Sequence, residues 1–127
     1  MRRRNIAAIG VAAAVFSGFV QLAIAGDVSQ TDATKLKAYV QSNGLACLGC
    51  HGIDHKLIGP AWLDVAKKYH GDPKALADVS QRIANGGSGL WGQVPMPPNQ
   101  ATAAQAKTLA QMILALDPNA TPSGSNK

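Results

Sequence analysis

The sequence predicts a small all-α domain of about four helices, because apolar residues recur at helical spacing in four segments and no alternating run reads as a strand. A third observation concerns what these helices enclose: a Cys-x-x-Cys-His run falls between the first two. In the first segment Leu36, Tyr39 and Val40 share a face, and Asn43-Gly44 supplies a stop just before the cysteines. The second runs from about Ala61 to Tyr69, with Trp62, Val65, Ala66 and Tyr69 at i, i+3, i+4 and i+7 and Gly71 beyond. The third opens on Asp72-Pro73, read as an N-cap followed by proline at the first helical position. It turns Leu76, Val79 and Ile83 inward and ends at Asn85-Gly86-Gly87. The fourth starts at Thr102, whose Thr-x-x-Gln pattern with Gln105 is a capping box, and places Ala106, Leu109, Ile113 and Leu116 inward before Asp117-Pro118 stops it.

Cys47-Leu48-Gly49-Cys50-His51 is the residue pattern that attaches a haem. Two thiols at i and i+3 lie one helical turn apart, so both can add to the vinyl groups on one edge of a porphyrin. The next residue, His51, then lies under the iron, and imidazole is a strong iron ligand. A redox dithiol belongs at the end of a strand in a βαβ unit, and there is no such strand here. A structural zinc needs four ligands, whereas this chain has no third cysteine, and His55 and His70 do not repeat the spacing. Those two histidines are expected on the surface or in loops. The expected cofactor is therefore a single covalent haem c with its iron.

The chain opens with Arg2, Arg3 and Arg4, continues through an apolar stretch from Ile6 to Val20, and reaches Ala23-Ile24-Ala25 before the polar segment Gly26 to Thr34. This reads as a secretory signal peptide over residues 1–25, cleaved after Ala25, which sends the chain to the periplasm without stable membrane insertion. Residues 26–116 then form one domain, and residues 117–127, rich in Pro, Ser, Asn and Gly, read as a disordered tail. The net charge of +5 largely reflects the leader, which carries three of the 12 basic residues and no acidic one. Two ionised haem propionates would offset most of the remainder, so nucleic-acid binding has no electrostatic basis.

After export, Met96 and Met112 are the thioether candidates for the second axial position. Met96 lies in Val94-Pro95-Met96-Pro97-Pro98-Asn99, where proline fixes φ and makes a stiff segment able to present a weak ligand already oriented. Met112 sits between Leu109 and Leu116 at helical spacing and reads as core.

From about Lys37 to Leu116 the chain resembles small bacterial class I c-type cytochromes of the cytochrome c-551/c-552 type. The resemblance rests on Cys47-Leu48-Gly49-Cys50-His51, Ile58-Gly59-Pro60-Ala61, Arg82-Ile83-Ala84-Asn85-Gly86, and Gly89-Leu90-Trp91-Gly92 leading into Pro95-Met96-Pro97-Pro98-Asn99. It implies the class I cytochrome c fold, with Cys47 and Cys50 as thioethers to haem and His51 and Met96 as axial iron ligands. It also implies that the Pro60 carbonyl orients His51, that Asn99 donates towards the Met96 sulfur, and that Arg82 and Trp91 hold the inner haem propionate. The chain departs from the family in containing no glutamate and in its longer polar tail.

A His/Met iron has no open position, which suits outer-sphere electron transfer rather than catalysis. The expected function is that of a soluble periplasmic single-haem carrier and monomer. It would pass one electron at a time from a membrane or periplasmic respiratory donor to a terminal reductase or oxidase through transient redox encounters. Leu48, Leu57 and Ile58 are candidates for a docking rim, with Lys56 adding orientation. Two other functions are conceivable: peroxidase chemistry if Met96 leaves iron, and service as a stably bound subunit of a larger complex.

Overall fold

The computed structural model describes residues 27–98 and 100–119. The leader, Asn99 and residues 120–127 of the expected tail lie outside the described residues. Four α-helices follow one another: α1 (Asp27–Ser42), α2 (Trp62–Lys68), α3 (Ala75–Asn85) and α4 (Ala103–Leu114). A single 3-10 turn, Cys47–Gly49, stands between α1 and α2. Among the described residues there is no strand, only two isolated β-bridges, His51 with Lys56 and Gly87 with Met96. No helix among them is long and apolar enough to cross a membrane.

α4 is the centre of the packing. It lies against α3 along most of its length and also touches α1 and α2. Ala106 and Ala110, four residues apart, are almost wholly buried and let neighbouring backbone approach, while Leu109 and Ile113 fill the space beside them. From the other helices come Leu36 and Val40 of α1, Trp62, Val65 and Ala66 of α2, and Ala75, Val79 and Ile83 of α3. Leu116, just beyond α4, closes the core. Tyr39, Leu76 and Met112 are half-buried at its margin.

The helix ends follow from local chemistry. α1 reaches back to Asp27, through a stretch in which the sequence shows only polar composition. It stops as expected at Asn43-Gly44: Gly44 is left-handed (φ 63°), its N–H bonds to the Gln41 carbonyl, and the Leu45 N–H bonds to the Val40 carbonyl. The capping box of α4 is complete, with Gln105 N–H on Thr102 Oγ1 at 3.2 Å and Thr102 N–H on Gln105 Oε1 at 3.0 Å.

The start of α3 differs from expectation. Asp72-Pro73 does not begin the helix but a β-turn, in which the Ala75 N–H bonds to the Asp72 carbonyl and the Lys74 N–H to Asp72 Oδ1. Asp at the first and proline at the second position suit that turn as well as they suit a helix start, so the dipeptide does not discriminate between them. The helix begins at Ala75, which is buried, and Leu76 is only partly so. Its end is as expected: Gly86 is left-handed (φ 71°) and bonds its N–H to the Arg82 carbonyl.

Leu109→Ala, at a site 1 % exposed, is expected to lower the unfolding free energy of the haem-loaded protein by about 2–5 kcal/mol. Thr102→Ala should cost about 1 kcal/mol through the lost cap. Denaturant titration measures both.

Candidate functional site

Between α2, α3 and α4 lies an open-sided cavity, lined mainly by apolar side chains and with no carboxylate among the described residues of its wall. Cys47, Cys50, His51, Pro60, Arg82, Trp91 and Met96 all line it. The structure thus brings together every described site residue singled out in the sequence, and Asn99 lies outside the described residues.

Cys47 and Cys50 reach the cavity from the 3-10 turn. Cys50 and His51 both bond their N–H to the Cys47 carbonyl, at 3.1 and 3.0 Å, and Gly49 bonds to Ala46. Side chains at i and i+3 eclipse in such a turn, so two thiols face one side. Burial pushes the Cys47 thiol up, opposed by a backbone hydrogen bond and assisted by the neighbouring Cys50. A redox-active Cys-x-x-Cys needs the opposite, a depressed thiol, so the environment disfavours the dithiol reading.

His51 is held on three sides. Its Nδ1 lies 2.8 Å from the Pro60 carbonyl oxygen. A carbonyl can only accept, so Nδ1 carries the proton and the Nε2 lone pair of the neutral ring is left for another partner. The Trp62 ring lies nearly parallel at 5.9 Å and 17°. Gly59 fills the remaining space: a Cβ there would come within 2.5 Å of His51 Cε1 and 2.9 Å of Nε2. Backbone bonds stitch this region shut, from Gly59 to Cys50, Trp62 to Gly52 and Leu63 to Ile53. Residues 55–58 between these bonds are exposed.

Met96 approaches from a separate segment. Pro95, Pro97 and Pro98 have no N–H, so Met96 carries the one donor in that run, and it pairs with Gly87 in both directions (Met96 N–H to Gly87 O, 2.8 Å; Gly87 N–H to Met96 O, 3.0 Å). Gly86 makes the approach possible, since any Cβ there would overlap the Met96 carbonyl oxygen. Met112 is half-buried against the core and does not line the cavity.

Gly59, Trp62 and Gly86-Gly87 acquire site roles that the sequence did not single out. Trp62 reads there as a core residue and Gly86-Gly87 as a helix stop, and each does both jobs. Among the rim candidates, Leu57 and Ile58 are exposed (Ile58 61 %), but Leu48 is half-buried against the core. Leu90 and Val94, which the sequence did not mark as rim residues, are exposed and line the cavity, as Ile58 does. His55 and His70 are exposed, and His55 Nδ1 sits 2.8 Å from Asp54 Oδ1, a bond that holds the Asp54 carboxyl below its ordinary range.

No family model matches the chain. Cytochrome c-551 of Pseudomonas aeruginosa is 50 % identical over 68 residues, which cover 54 % of this chain and 65 % of that protein. Cytochrome c-552 of Hydrogenobacter thermophilus is 51 % identical over 70 residues, 55 % of this chain and 71 % of that protein. The crystal structure of wild-type Nitrosomonas europaea cytochrome c552 superposes with a TM-score of 0.58 at 40 % identity, covering 64 % of this chain and 99 % of that one. Helices, cavity and solved neighbours together define a class I cytochrome c, a fold that carries one covalent haem c with its iron. The chain belongs to the cytochrome c-551/c-552 family, whose members are electron-transfer proteins and not enzymes.

Gly59→Ala is expected to displace the His51 ring and weaken its bond to Pro60, costing about 1–3 kcal/mol of stability. Denaturant titration, with the His51 ring resonances as the local readout, checks this. Because Asp54 titrates lower when folded than unfolded, its pair with His55 adds stability above the ordinary aspartate pKa of about 3.9, lost as pH falls through the lowered folded value. For so exposed a pair the contribution is at most about 0.5 kcal/mol. The stability difference between wild type and Asp54→Asn should shrink in acid, as the pH falls through the lowered folded value of Asp54.

Proposed function

We propose that this protein is a soluble periplasmic single-haem electron carrier, passing one electron at a time from a respiratory donor to a terminal reductase or oxidase. The observation that carries this reading is the convergence of Cys47, Cys50, His51 and Met96 on one apolar cavity. That cavity suits a flat, largely apolar group, with both thiols on one side and a free imidazole nitrogen beside them.

Haem c, when bound, supplies a one-electron ferrous/ferric couple. Cys47 and Cys50 would anchor it through thioethers, and His51 and Met96 would hold its iron. The Pro60 carbonyl fixes the His51 ring and raises its basicity as a ligand. Met96 is pinned through its backbone to Gly87, which keeps a weak thioether donor in place and the second axial position filled. Arg82 and Trp91, which line the cavity, would hold the inner propionate, and the role the family resemblance implies for Asn99 falls outside the described residues. With His51 and Met96 both bound, the iron would be limited to outer-sphere transfer, and the thioether would favour its reduced state.

Ile58, Leu90 and Val94 give the cavity mouth an apolar rim, with Leu57 nearby and Lys56 also lining the cavity. Such a patch suits brief, small encounters between a monomeric carrier and its redox partners. The apolar stretch and Ala-x-Ala site at the N-terminus support export with cleavage after Ala25. They support a domain over residues 26–116, with residues 117–127 as a tail.

The test is an absorption spectrum of the haem-loaded protein, oxidised and then reduced. A weak far-red sulfur-to-ferric-iron band is expected in the wild type and in Met112→Ala, and should be absent in Met96→Ala. A high-spin ferric wild type that binds cyanide at once would overturn the carrier reading in favour of an open, peroxidase-like iron.

A further inference from the structure

One cation makes a contact that the proposed function does not use. Lys68, the last residue of α2, places its Nζ 5.5 Å from the centroid of the Trp91 ring. Trp91 sits on the loop formed by residues 88–95. The Gly87–Met96 pair joins the two ends of that loop, and the bond from Gly89 N–H to the Gly92 carbonyl is internal to it. Neither bond ties the loop to a helix. The connection is made by side chains: the half-buried indole packs on the core, and the Lys68 ammonium reaches it from α2. An ammonium over an aromatic face is attracted by the ring quadrupole, so the contact restrains the indole as well as the lysine.

The place where this occurs gives it consequence. Trp91 lines the cavity together with Arg82, whose Nη1 lies beside Gly87 at the base of the same loop, 3.3 Å from where a Cβ on that glycine would stand. No carboxylate lines the cavity, so no acidic side chain of its wall opposes these cations. A positive charge held near a redox centre stabilises the state with the extra electron. How strongly it does so depends on where the charge is held.

We propose that Lys68 is a positioning residue, its ammonium holding the Trp91 indole at the cavity mouth and thereby favouring the reduced state of the site. This rests on the haem reading above. Lys68 is exposed and lines no part of the cavity, so changing it leaves the thioether and axial residues untouched.

The experiment uses haem-loaded wild type, Lys68→Met and Lys68→Arg, each poised at the wild-type midpoint at low ionic strength. It reads the ferrous-to-ferric ratio, the Trp91 indole N–H proton resonance and the far-red sulfur–iron band. Lys68→Met is expected to lower the ratio by about 2- to 5-fold, the size of an exposed cation–π contact, and to move the indole resonance while the sulfur–iron band stays unchanged. Lys68→Arg should restore both the ratio and the resonance. The inference is overturned if Lys68→Met leaves the ratio at the wild-type value, if the ratio shifts while the indole resonance does not, or if arginine fails to restore them. A wild type without the sulfur–iron band would overturn the haem reading and this inference with it. A wild type with the band and an unmoved Lys68→Met would overturn the inference alone.

Discussion

The hydrogen bond between His51 Nδ1 and the Pro60 carbonyl is the constraint on which the site depends. It fixes the tautomer, and with it which nitrogen is free. It also ties two stretches of chain with different origins: the turn that carries both thiols, and the segment that leads into α2. Trp62, the first residue of α2, lies along the same imidazole, so the helix that supplies the core also supplies a wall for the ring. Gly59 carries no side chain, and a Cβ there would overlap the His51 ring itself.

On the Met96 side the restraint is mostly backbone. Proline removes the donors on either side of Met96, and its single remaining N–H pairs with Gly87 immediately after α3. The left-handed turn at Gly86 serves two ends at once, terminating α3 and admitting the Met96 segment at a distance that no Cβ would permit. α3 is in turn seated on α4, the helix it contacts most extensively. The placement of Met96 therefore traces back through a glycine pair and a helix end to the helix–helix contact at the centre of the core.

A short chain with a cavity at its centre has little apolar surface left to bury elsewhere. Val65, Val79, Ile83, Leu109 and Ile113 belong to the packed cluster and also line the cavity. Packing and site are thus one set of side chains, so the group held in the cavity contributes to the fold as well as to the chemistry. The exposed apolar residues are not scattered: Ile58, Leu90 and Val94 gather at the cavity mouth, where in the proposed function a partner would come nearest the redox centre.

Much of this was legible in the sequence because its signals are local. The helical spacing of α2 and α4, the Thr102–Gln105 capping box, the stops at Gly44 and Gly86, and the Cys47–Cys50–His51 run each depend on residues a few positions apart, and local sterics and hydrogen bonding decide them. Asp72-Pro73 marks the limit of that kind of reading, since one dipeptide satisfies a turn and a helix start equally well and only the bonds made to Lys74 and Ala75 choose between them. What the tertiary structure alone decided is whatever needs two distant segments to meet. Gly87 pairs with Met96, Trp62 lies along His51, Leu48 turns inward while Val94 stays out at 65 % exposure, and Lys68 reaches Trp91. No periodicity in the chain encodes these meetings; they follow from how α2, α3 and α4 pack, which is settled by shape and buried volume across the whole core.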